Sequence, residues 1–398
     1  MTCWGIAIVG VAAALWLLGR VFFPSGAGVM DVTRGSPLGN PPGMVDRLVL
    51  LDRPETWAVG KLEHVKIDAA RGRVTLAADS DDDYPRQGLW TSAELTTDFP
   101  FTELIPSWNA AVPQGAGMAV LVRVRDARRG EWSPWLYFGG WGQAPPGGHL
   151  VQFEHGKVLI DTLILDRPAN AYQVRVKLAA FTYDPAVAPS VRRIAVSYSG
   201  VVADETERRR LTPSTEIDGP WARSLDVPYR TQQDTPKAMR RQTCSPTSVS
   251  MVLEYWGCSR PTVENAMAIY DPEYEQFGNW NRATQRAGEL GLDAWLTRFR
   301  TWDAVKAQIA QGRPIIASIR FRKGEFPTAA LSSTMGHVIV IRGFTPGGDA
   351  IVNDPANRKK GTAAVYSADS LAKAWFDHGG VGYVIAGPAK ARTAATKP

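Results

Sequence analysis

The sequence contains few cysteines, with three among its 398 residues, at positions 3, 244 and 258. Three thiols cannot build a disulfide framework, and no Cys-x-x-Cys or Cys/His cluster is present for zinc. A helix between Cys244 and Cys258 would hold their sulfur atoms roughly 20 Å apart, at ~1.5 Å per residue, too far for a disulfide. We therefore predict a free thiol at Cys244, no metal site and no cofactor.

The sequence also lacks a concentration of charge of one sign. It has 45 Lys and Arg against 39 Asp and Glu, for a net charge of +6, and the two signs are interspersed. The longest basic run, Arg208 to Arg210, follows Glu205 and Glu207 and is typical of a solvated surface. This pattern excludes the basic stripe that a nucleic-acid partner would require.

Long hydrophobic runs are absent except at the amino terminus. Residues 4–23 are apolar apart from Arg20, long enough to span a bilayer, although a buried core helix is the alternative. We predict a hydrophobic helix over residues 1–24, acting as a signal anchor or transmembrane helix, and a Gly/Pro-rich tether over 25–44. The expected protein is exported and membrane-anchored or secreted, in the cell envelope, with its orientation and cleavage left open.

Residues 45–202 show no sustained helical periodicity. Short runs of alternating apolar and polar residues are separated by Gly, Pro and Asp, which is typical of strands with one buried face. The clearest runs are Gly117–Val124, Trp135–Phe138, Val158–Leu165, Tyr172–Phe181 and Val191–Tyr198. We therefore predict an all-β domain, a two-sheet antiparallel sandwich.

Tryptophans are concentrated in this predicted sandwich, among them Trp90, Trp108, Trp132, Trp135 and Trp141. They are expected to fill the core, while stacking on sugars is the alternative. The closing stretch, residues 169–200, resembles the last strands of jelly-roll modules of the carbohydrate- or discoidin-like kind. That resemblance implies a binding or spacer module, whose partner would be a glycan or another cell-surface molecule.

A polar stretch with two prolines, residues 203–222, predicts an interdomain linker. Alternating helices and strands follow, so a second domain is predicted over 223–390. Within it, "TCSPTSVSMVLEYWG" has apolar residues at helical spacing and predicts a helix from Pro246 to Trp256. Cys244 would precede its amino terminus, where unpaired N–H groups favour a thiolate. A nucleophile needs that setting, although a small buried cysteine is the alternative.

Only one of the five histidines is placed to serve such a nucleophile as a base. Three lie in the predicted β domain, and His378 lies in a Gly-rich loop. His337 opens the apolar strand "HVIVIRGF", which turns and returns as "DAIVNDPA". If Phe344 pairs with Asp349, His337 faces Ala356 and Asp354 lies diagonally about 7–8 Å away, on the same face.

Cys244, His337 and Asp354 would together form a catalytic triad. The thiolate would attack a carbonyl, His337 would protonate the leaving amine, and Asp354 would orient the imidazole. Taken singly, His337 could be a satisfied core histidine and Asp354 a turn carboxylate before Pro355. Their occurrence in the order Cys, His, Asp favours catalysis.

These segments resemble the papain-like cysteine peptidases of the bacteriocin-processing (double-glycine leader) type. The matching pieces are "LDVPYRTQ", "CSPTSVSMVLEYWG", "GRPIIASI", "GHVIVIRGF" and "VNDPA", in family order over about 160 residues. The resemblance implies an α+β papain-like fold, with the nucleophile at Cys244, the base at His337 and the orienting residue at Asp354. It implies an oxyanion-hole glutamine at Gln232, with Gln242 as the competitor. Cys-Ser-Pro replaces the Cys-Gly-Pro of many relatives, adding a side chain beside the site.

The predicted function is therefore hydrolysis of peptide bonds through an acyl-thioenzyme, with a peptide or protein as substrate. Two alternatives stay open: a catalytically silent binding protein at the cell surface, and an amidase or transpeptidase acting on cell-wall peptides. No Gly-x-x-x-x-Gly-Lys-Ser/Thr motif is present, so the chain is not expected to be the peptidase arm of a one-chain export transporter.

Overall fold

The structure is a computed structural model that describes residues 40–77, 85–143, 145, 149–212, 214–357 and 364–387. The predicted hydrophobic helix over 1–24 lies outside these residues, as does most of the predicted tether. Within the described ranges, the helices are all too short or too polar to cross a membrane.

The amino-terminal part of the described chain is β-rich. Its one short helix among the described residues, α1, spans Pro54–Ala58. Its strands are β1 Met44–Leu51, β2 Lys61–Glu63, β3 Val65–Asp68, β4 Arg73–Leu76, β5 Arg86–Thr91, β6 Leu95–Ala111, β7 Ala116–Asp126, β8 Leu136–Gly142, β9 Gln152–Phe153, β10 Gly156–Leu159, β11 Thr162–Ala180 and β12 Ser190–Val201. The predicted all-β character of this domain is confirmed.

These strands form one hydrogen-bonded network rather than two separate sheets. The long strands β6 and β11 connect its parts, because one end of β6 pairs with β11 and the other with β12. One predicted strand is wrong: residues 158–165 contain a turn between β10 and β11, where Ile160 adopts a positive φ of 62°. Its β-branched, apolar side chain gave no sign of a turn.

The tryptophans of this domain divide between core and surface. Trp90, Trp108 and Trp141 are buried, as expected for core residues. Trp132 and Trp135 are only half-buried, and the Arg123 guanidinium lies 4.7 Å from the centroid of the first ring and 4.8 Å from that of the second. This stacking covers part of both exposed rings.

The predicted linker is not wholly irregular, since residues Glu205–Leu211 form helix α2. Asp204 caps it by accepting a hydrogen bond from the Glu207 N–H at 2.7 Å. Ion pairs between Glu and Arg side chains three or four residues apart stabilise it further. These local interactions form a helix without the apolar periodicity that sequence patterns detect.

The carboxy-terminal domain combines helices with a six-stranded antiparallel sheet among the described residues. Its helices are α3 Cys244–Tyr255, α4 Thr262–Ile269, α5 Trp280–Glu289, α6 Trp302–Ala310 and α7 Ala368–Trp375. Its strands are β13 Asp293–Arg298, β14 Ile315–Phe321, β15 Thr334–Phe344, β16 Ala350–Asn353, β17 Ala364–Tyr366 and β18 Val381–Ala386, in the sheet order β13-β18-β14-β15-β16-β17. The predicted helix over 246–256 corresponds to α3.

The two domains share a polar, buried interface. Strand β13 is the edge strand of the six-stranded sheet. Side chains of β6 hydrogen-bond the backbone groups on its outer side, which no other strand of that sheet pairs with. Asn109 both donates to the Ala294 carbonyl at 2.9 Å and accepts from the Ala294 N–H at 3.0 Å. Ser107 accepts from the Leu296 N–H at 3.1 Å. The β-rich domain thus satisfies backbone groups that an uncovered edge strand would leave exposed.

Candidate active site

Cys244 is the first residue of helix α3, whose next nine residues are all buried. The residue before it, Thr243, makes no side-chain cap, so the first N–H groups of the helix are free to face an anion at this end. The Ser248 hydroxyl of α3 donates to the Val338 carbonyl at 3.0 Å. Because Val338 follows His337 in β15, this bond joins the cysteine's helix to the histidine's strand.

His337 and Asp354 form a buried pair. The distance between His337 Nε2 and Asp354 Oδ1 is 2.8 Å, and both side chains are almost fully excluded from solvent. Cys244 lies near enough to the same imidazole to contribute to its raised pKa. Since Nε2 is used by Asp354, Nδ1 is the ring nitrogen that remains to face a thiol. The structure therefore brings together the three residues that the sequence singled out.

The hairpin register that aligns His337 with Asp354 contains a bulge. Phe344 pairs with Ala350 rather than with Asp349, so the predicted register is wrong beside the turn. A one-residue irregularity between Ile341 and Gly343 then corrects it, and Val340 pairs with Asn353 as the predicted register requires. The Arg223 carbonyl and Ser224 lie against Gly343 where a Cβ would stand, a close approach that glycine permits.

The electrostatics of the pair favour a charged imidazole. Burial alone would lower the pKa of His337, but the Asp354 carboxylate, the hydrogen bond to it and the neighbouring Cys244 outweigh burial and raise the pKa to about 10. Burial likewise opposes ionisation of Asp354. The His337 charge and hydrogen bonds from His337, Tyr366 and Ala356 nevertheless hold the pKa of Asp354 below its usual value. The pair therefore stays ionised near neutral pH.

Gln232 lies in a short 3-10 helix, Gln232–Asp234, and is buried, whereas Gln242 is exposed. The Gln232 N–H donates to the Pro355 carbonyl at 3.0 Å, which places this turn beside Asp354. Its Nε2 donates to the Arg240 carbonyl at 2.9 Å, and its Oε1 is buried without a partner among the described residues. The fixed side chain at Gln232 distinguishes the two candidates structurally.

The segment between Gln232 and Cys244 folds back on itself. Thr235 donates through Oγ1 to the Gln232 carbonyl at 2.7 Å and lies 3.1 Å from the Thr243 hydroxyl. Arg240 Nε donates to the Thr235 carbonyl at 2.8 Å. Cys244 follows Gln232 by twelve positions in the sequence. These contacts link Gln232, through Thr235, to Thr243, the residue that precedes the thiol.

Ser245, which replaces the expected glycine, does not line the approach to Cys244. It is fully buried, and its Oγ lies 3.5 Å from the Tyr383 hydroxyl inside the domain. The side chain that serine adds beside Cys244 therefore points into the core of the domain.

Tyr366 is the contact that sequence reasoning missed. Its hydroxyl donates to Asp354 Oδ2 at 2.7 Å. The only sequence signal is a polar aromatic residue in a short run, "AVY", that follows the hairpin carrying His337 and Asp354. Its strand β17 pairs with β16, and this pairing could not be assigned without the structure.

The remaining histidines lie apart from this constellation. His149 stacks on Tyr137 with ring centroids 4.1 Å apart, and His155 Nε2 lies 3.1 Å from the Arg167 guanidinium. Among the described residues, no three His, Cys, Asp or Glu side chains are grouped so as to hold a metal ion.

Comparison with known proteins gives a family match for each of the two domains. Residues 224–383 match the Peptidase C39 like family, and residues 50–199 match the Peptidase C39 N-terminal domain. The carboxy-terminal domain therefore belongs to the Peptidase C39 like family, with the β-rich domain as its N-terminal companion. At the level of the family, this match supports a papain-like cysteine peptidase domain. No curated protein matches the chain significantly.

Solved structures show more distant similarity. A double glycine motif protease from an AMS/PCAT transporter, in complex with the leader peptide, is 19% identical with a TM-score of 0.31, covering 43% of this chain and 97% of that one. The module TmCBM61, in complex with β-1,4-galactotriose, is 10% identical with a TM-score of 0.18, covering 44% of this chain and 100% of that one.

Proposed function

We propose that the carboxy-terminal domain is an active cysteine peptidase in which Cys244 is the nucleophile, His337 the base and Asp354 the orienting carboxylate. The observation that carries the proposal is the 2.8 Å bond between His337 Nε2 and Asp354 Oδ1, with Cys244 near enough to help raise the pKa of the same ring. A binding protein without turnover would have no need for this buried ionised pair, which is costly to desolvate.

The raised pKa of His337 determines where the proton resides. An imidazole with a pKa of about 10 holds a proton in preference to an ordinary thiol, whose pKa is roughly 8.5. The free N–H groups at the start of α3 stabilise the resulting thiolate. We infer that Cys244 and His337 rest as a thiolate–imidazolium pair, because a charged imidazole favours the thiolate form of a neighbouring thiol.

In the proposed reaction, Cys244 Sγ attacks the carbonyl carbon of a peptide bond. The negative oxygen that forms is stabilised by the Cys244 N–H and by the second Nε2 proton of Gln232, whose first proton is held by Arg240. His337 donates its proton to the departing amine, leaving an acyl-thioenzyme. His337 then takes a proton from water, and the resulting hydroxide attacks the thioester carbonyl. The C–S bond breaks, which releases the acid product and regenerates the Cys244 thiolate beside protonated His337.

The proposed substrates are peptides or proteins. A glycan or another cell-surface molecule as partner of the β-rich domain stays a proposal, as does membrane attachment through residues 1–24. Export is tested by fractionating cells that express the full chain and a variant lacking residues 1–24. Anchoring predicts that only the full chain sediments with membranes, and equal distribution of both would contradict it.

Catalysis is tested by alkylating the full chain with iodoacetamide between pH 4 and 9. Modification of Cys244 is read by peptide mass spectrometry in the wild type and in His337→Ala. We expect rapid labelling well below the ~8.5 pKa of a free thiol, lost in the variant. Cys258, half-buried and outside the site, serves as the internal reference thiol. Labelling of Cys244 that follows an ordinary thiol titration in both proteins would favour a silent binding protein.

Hydrolysis and transfer are then distinguished by the product. Peptide substrates are incubated with and without a primary amine as competing acceptor, and the products are identified by mass spectrometry. A peptidase releases the free carboxylate in both cases, because water attacks the thioester. Amide products that predominate at low amine concentration would instead identify a transpeptidase.

A further inference from the structure

We propose that Tyr366 is a positioning residue for the triad, holding the Asp354 carboxylate through its hydroxyl and linking it to the loop between β14 and β15. This inference rests on the proposed peptidase function and adds a fourth residue to its machinery. Tyr366 does not touch the reacting atoms; it acts through Asp354.

The direction of the hydrogen bonds at Tyr366 is fixed by its neighbours. The Ala330 N–H lies 3.0 Å from the Tyr366 hydroxyl oxygen and can only donate to it. The hydroxyl proton is therefore directed to Asp354 Oδ2, 2.7 Å away, which accepts when ionised. The tyrosine is a committed donor to the carboxylate, and it is almost completely buried, which raises its own pKa far above the usual value.

Tyr366 is the donor to Oδ2, while the other oxygen is held separately. Oδ1 accepts from His337 Nε2 at 2.8 Å and from the Ala356 N–H at 2.8 Å. With donors on both oxygens, the plane of the carboxylate is fixed, and with it the ring that it orients. Loss of the Tyr366 proton would leave a buried charged oxygen with one hydrogen bond fewer.

The same hydroxyl joins Asp354 to the loop over residues 322–333. In that loop, Phe326 packs edge-on against Tyr366 with ring centroids 4.9 Å apart, and against Phe321 at 5.4 Å. Ala330 adds the hydrogen bond to the hydroxyl. Since the loop leads into β15, which carries His337, the tyrosine connects the histidine's strand and the aspartate through a second route.

The proposal predicts a specific change in pH dependence. The Tyr366 hydrogen bond is one of the causes that lower the pKa of Asp354, so its loss raises that pKa. On acidification, Asp354 would be protonated at a higher pH, His337 would lose its anionic partner, and the thiolate would be lost sooner. A hydrogen bond to a charged group corresponds to roughly one pKa unit or more.

The experiment compares the pH profile of Cys244 alkylation in the full chain and in Tyr366→Phe, which keeps the ring. We expect the low-pH side of the profile, where the alkylation rate falls, to move up by about one pH unit in Tyr366→Phe. At a pH below this acid limb, the alkylation rate should be about tenfold lower than in the wild type. Tyr255→Phe is the matched control, because its hydroxyl donates to the Gly312 carbonyl at 3.1 Å, outside the site. Thermal unfolding of each variant checks its folding.

A second comparison uses Asp354→Asn with and without Tyr366→Phe. If the tyrosine acts through the carboxylate, its removal has little further effect once the charge is absent. Two outcomes would overturn the role of Tyr366 but leave the peptidase proposal intact. In the first, Cys244 of the wild type is alkylated rapidly at low pH, but Tyr366→Phe does not shift the acid limb. In the second, Tyr366→Phe has the same effect with Asp354 and with Asn at that position. An ordinary thiol titration in the wild type would overturn the peptidase proposal and the role of Tyr366 with it.

Discussion

Asp161 of the β-rich domain accepts a hydrogen bond at 2.8 Å from the backbone N–H of Trp280, the first residue of helix α5 in the peptidase domain. The helix's own N-cap residue, Asn279, makes no side-chain cap. One domain thus supplies the cap of a helix in the other. The turn that presents Asp161 contains Ile160 at positive φ, so a strained residue lies beside the contact.

Asp161 also makes stability depend on pH. Burial raises its pKa to about 7, against roughly 3.9 in an unfolded chain. Between these values the folded state binds the proton more tightly, so this group's contribution to stability is full below about pH 4 and falls as pH rises toward 7. We expect Asp161→Asn to show no such loss of stability between pH 4 and 7, because an amide does not titrate. Relative to the wild type, the variant's melting temperature should rise steadily from pH 4 to 7; a constant difference would contradict the assignment.

The buried ion pair between Arg298 and Glu103 crosses the domain interface with both side chains fully excluded from solvent. Glu103→Ala would leave the guanidinium without this partner. We expect the free energy of unfolding to fall by about 3–5 kcal/mol, measured with chemical denaturant. The control is Glu205→Ala, which breaks an exposed pair with Arg209 and should cost well under ~1 kcal/mol. If Glu103→Ala and Glu205→Ala lowered the free energy of unfolding by similar amounts, burial of the ion pair would not determine how much its loss destabilises the protein.

Separating the domains should destabilise the peptidase. A fragment of residues 223–390 would leave the edge of β13 uncovered and helix α5 without its cap. We expect the full chain to unfold in a single cooperative transition, and the isolated fragment to be less stable and prone to aggregate. Calorimetry and light scattering measure both. Two independent transitions in the full chain would contradict this coupling.

The two candidate glutamines are distinguished by kinetics. Gln232→Ala should lower kcat about 100- to 1,000-fold, the usual range for loss of an oxyanion donor, with little change in KM. Gln242→Ala should leave kcat nearly unchanged, because that side chain is exposed. Low-pH alkylation of Cys244 should persist in Gln232→Ala, since the ion pair is intact. A larger loss in Gln242→Ala would reverse the assignment.

Much of this arrangement could be predicted from the sequence because its signals are local. The helical spacing after Cys244 and the alternating strand after His337 identify their elements without tertiary information. The hairpin turn was misplaced by one residue, since a bulge at Arg342 leaves no mark in the pattern. Near His337 the bulge restores the predicted register. The misplaced turn and the unpredicted bulge therefore compensate each other at the site.

The contacts that sequence reasoning missed depend on distant parts of the chain. Tyr366 reaches Asp354 only because β17 pairs with β16, and Asp161 reaches Trp280 across 119 positions. Side-chain hydrogen bonds from Ser107 and Asn109 to a strand edge follow no periodic rule. Such contacts are specific to the packing of the two domains, and a single sequence has no pattern that indicates them.

The covered edge of β13 has a consequence for synthesis on the ribosome. The β-rich domain leaves the exit tunnel first, and domains generally fold in that order. Strand β6, with Ser107 and Asn109 already in place, would then await β13 as it emerges about 190 residues later, and would offer it a prepared template. The nascent peptidase would meet its partner surface at the moment when its own edge is most open to wrong pairing.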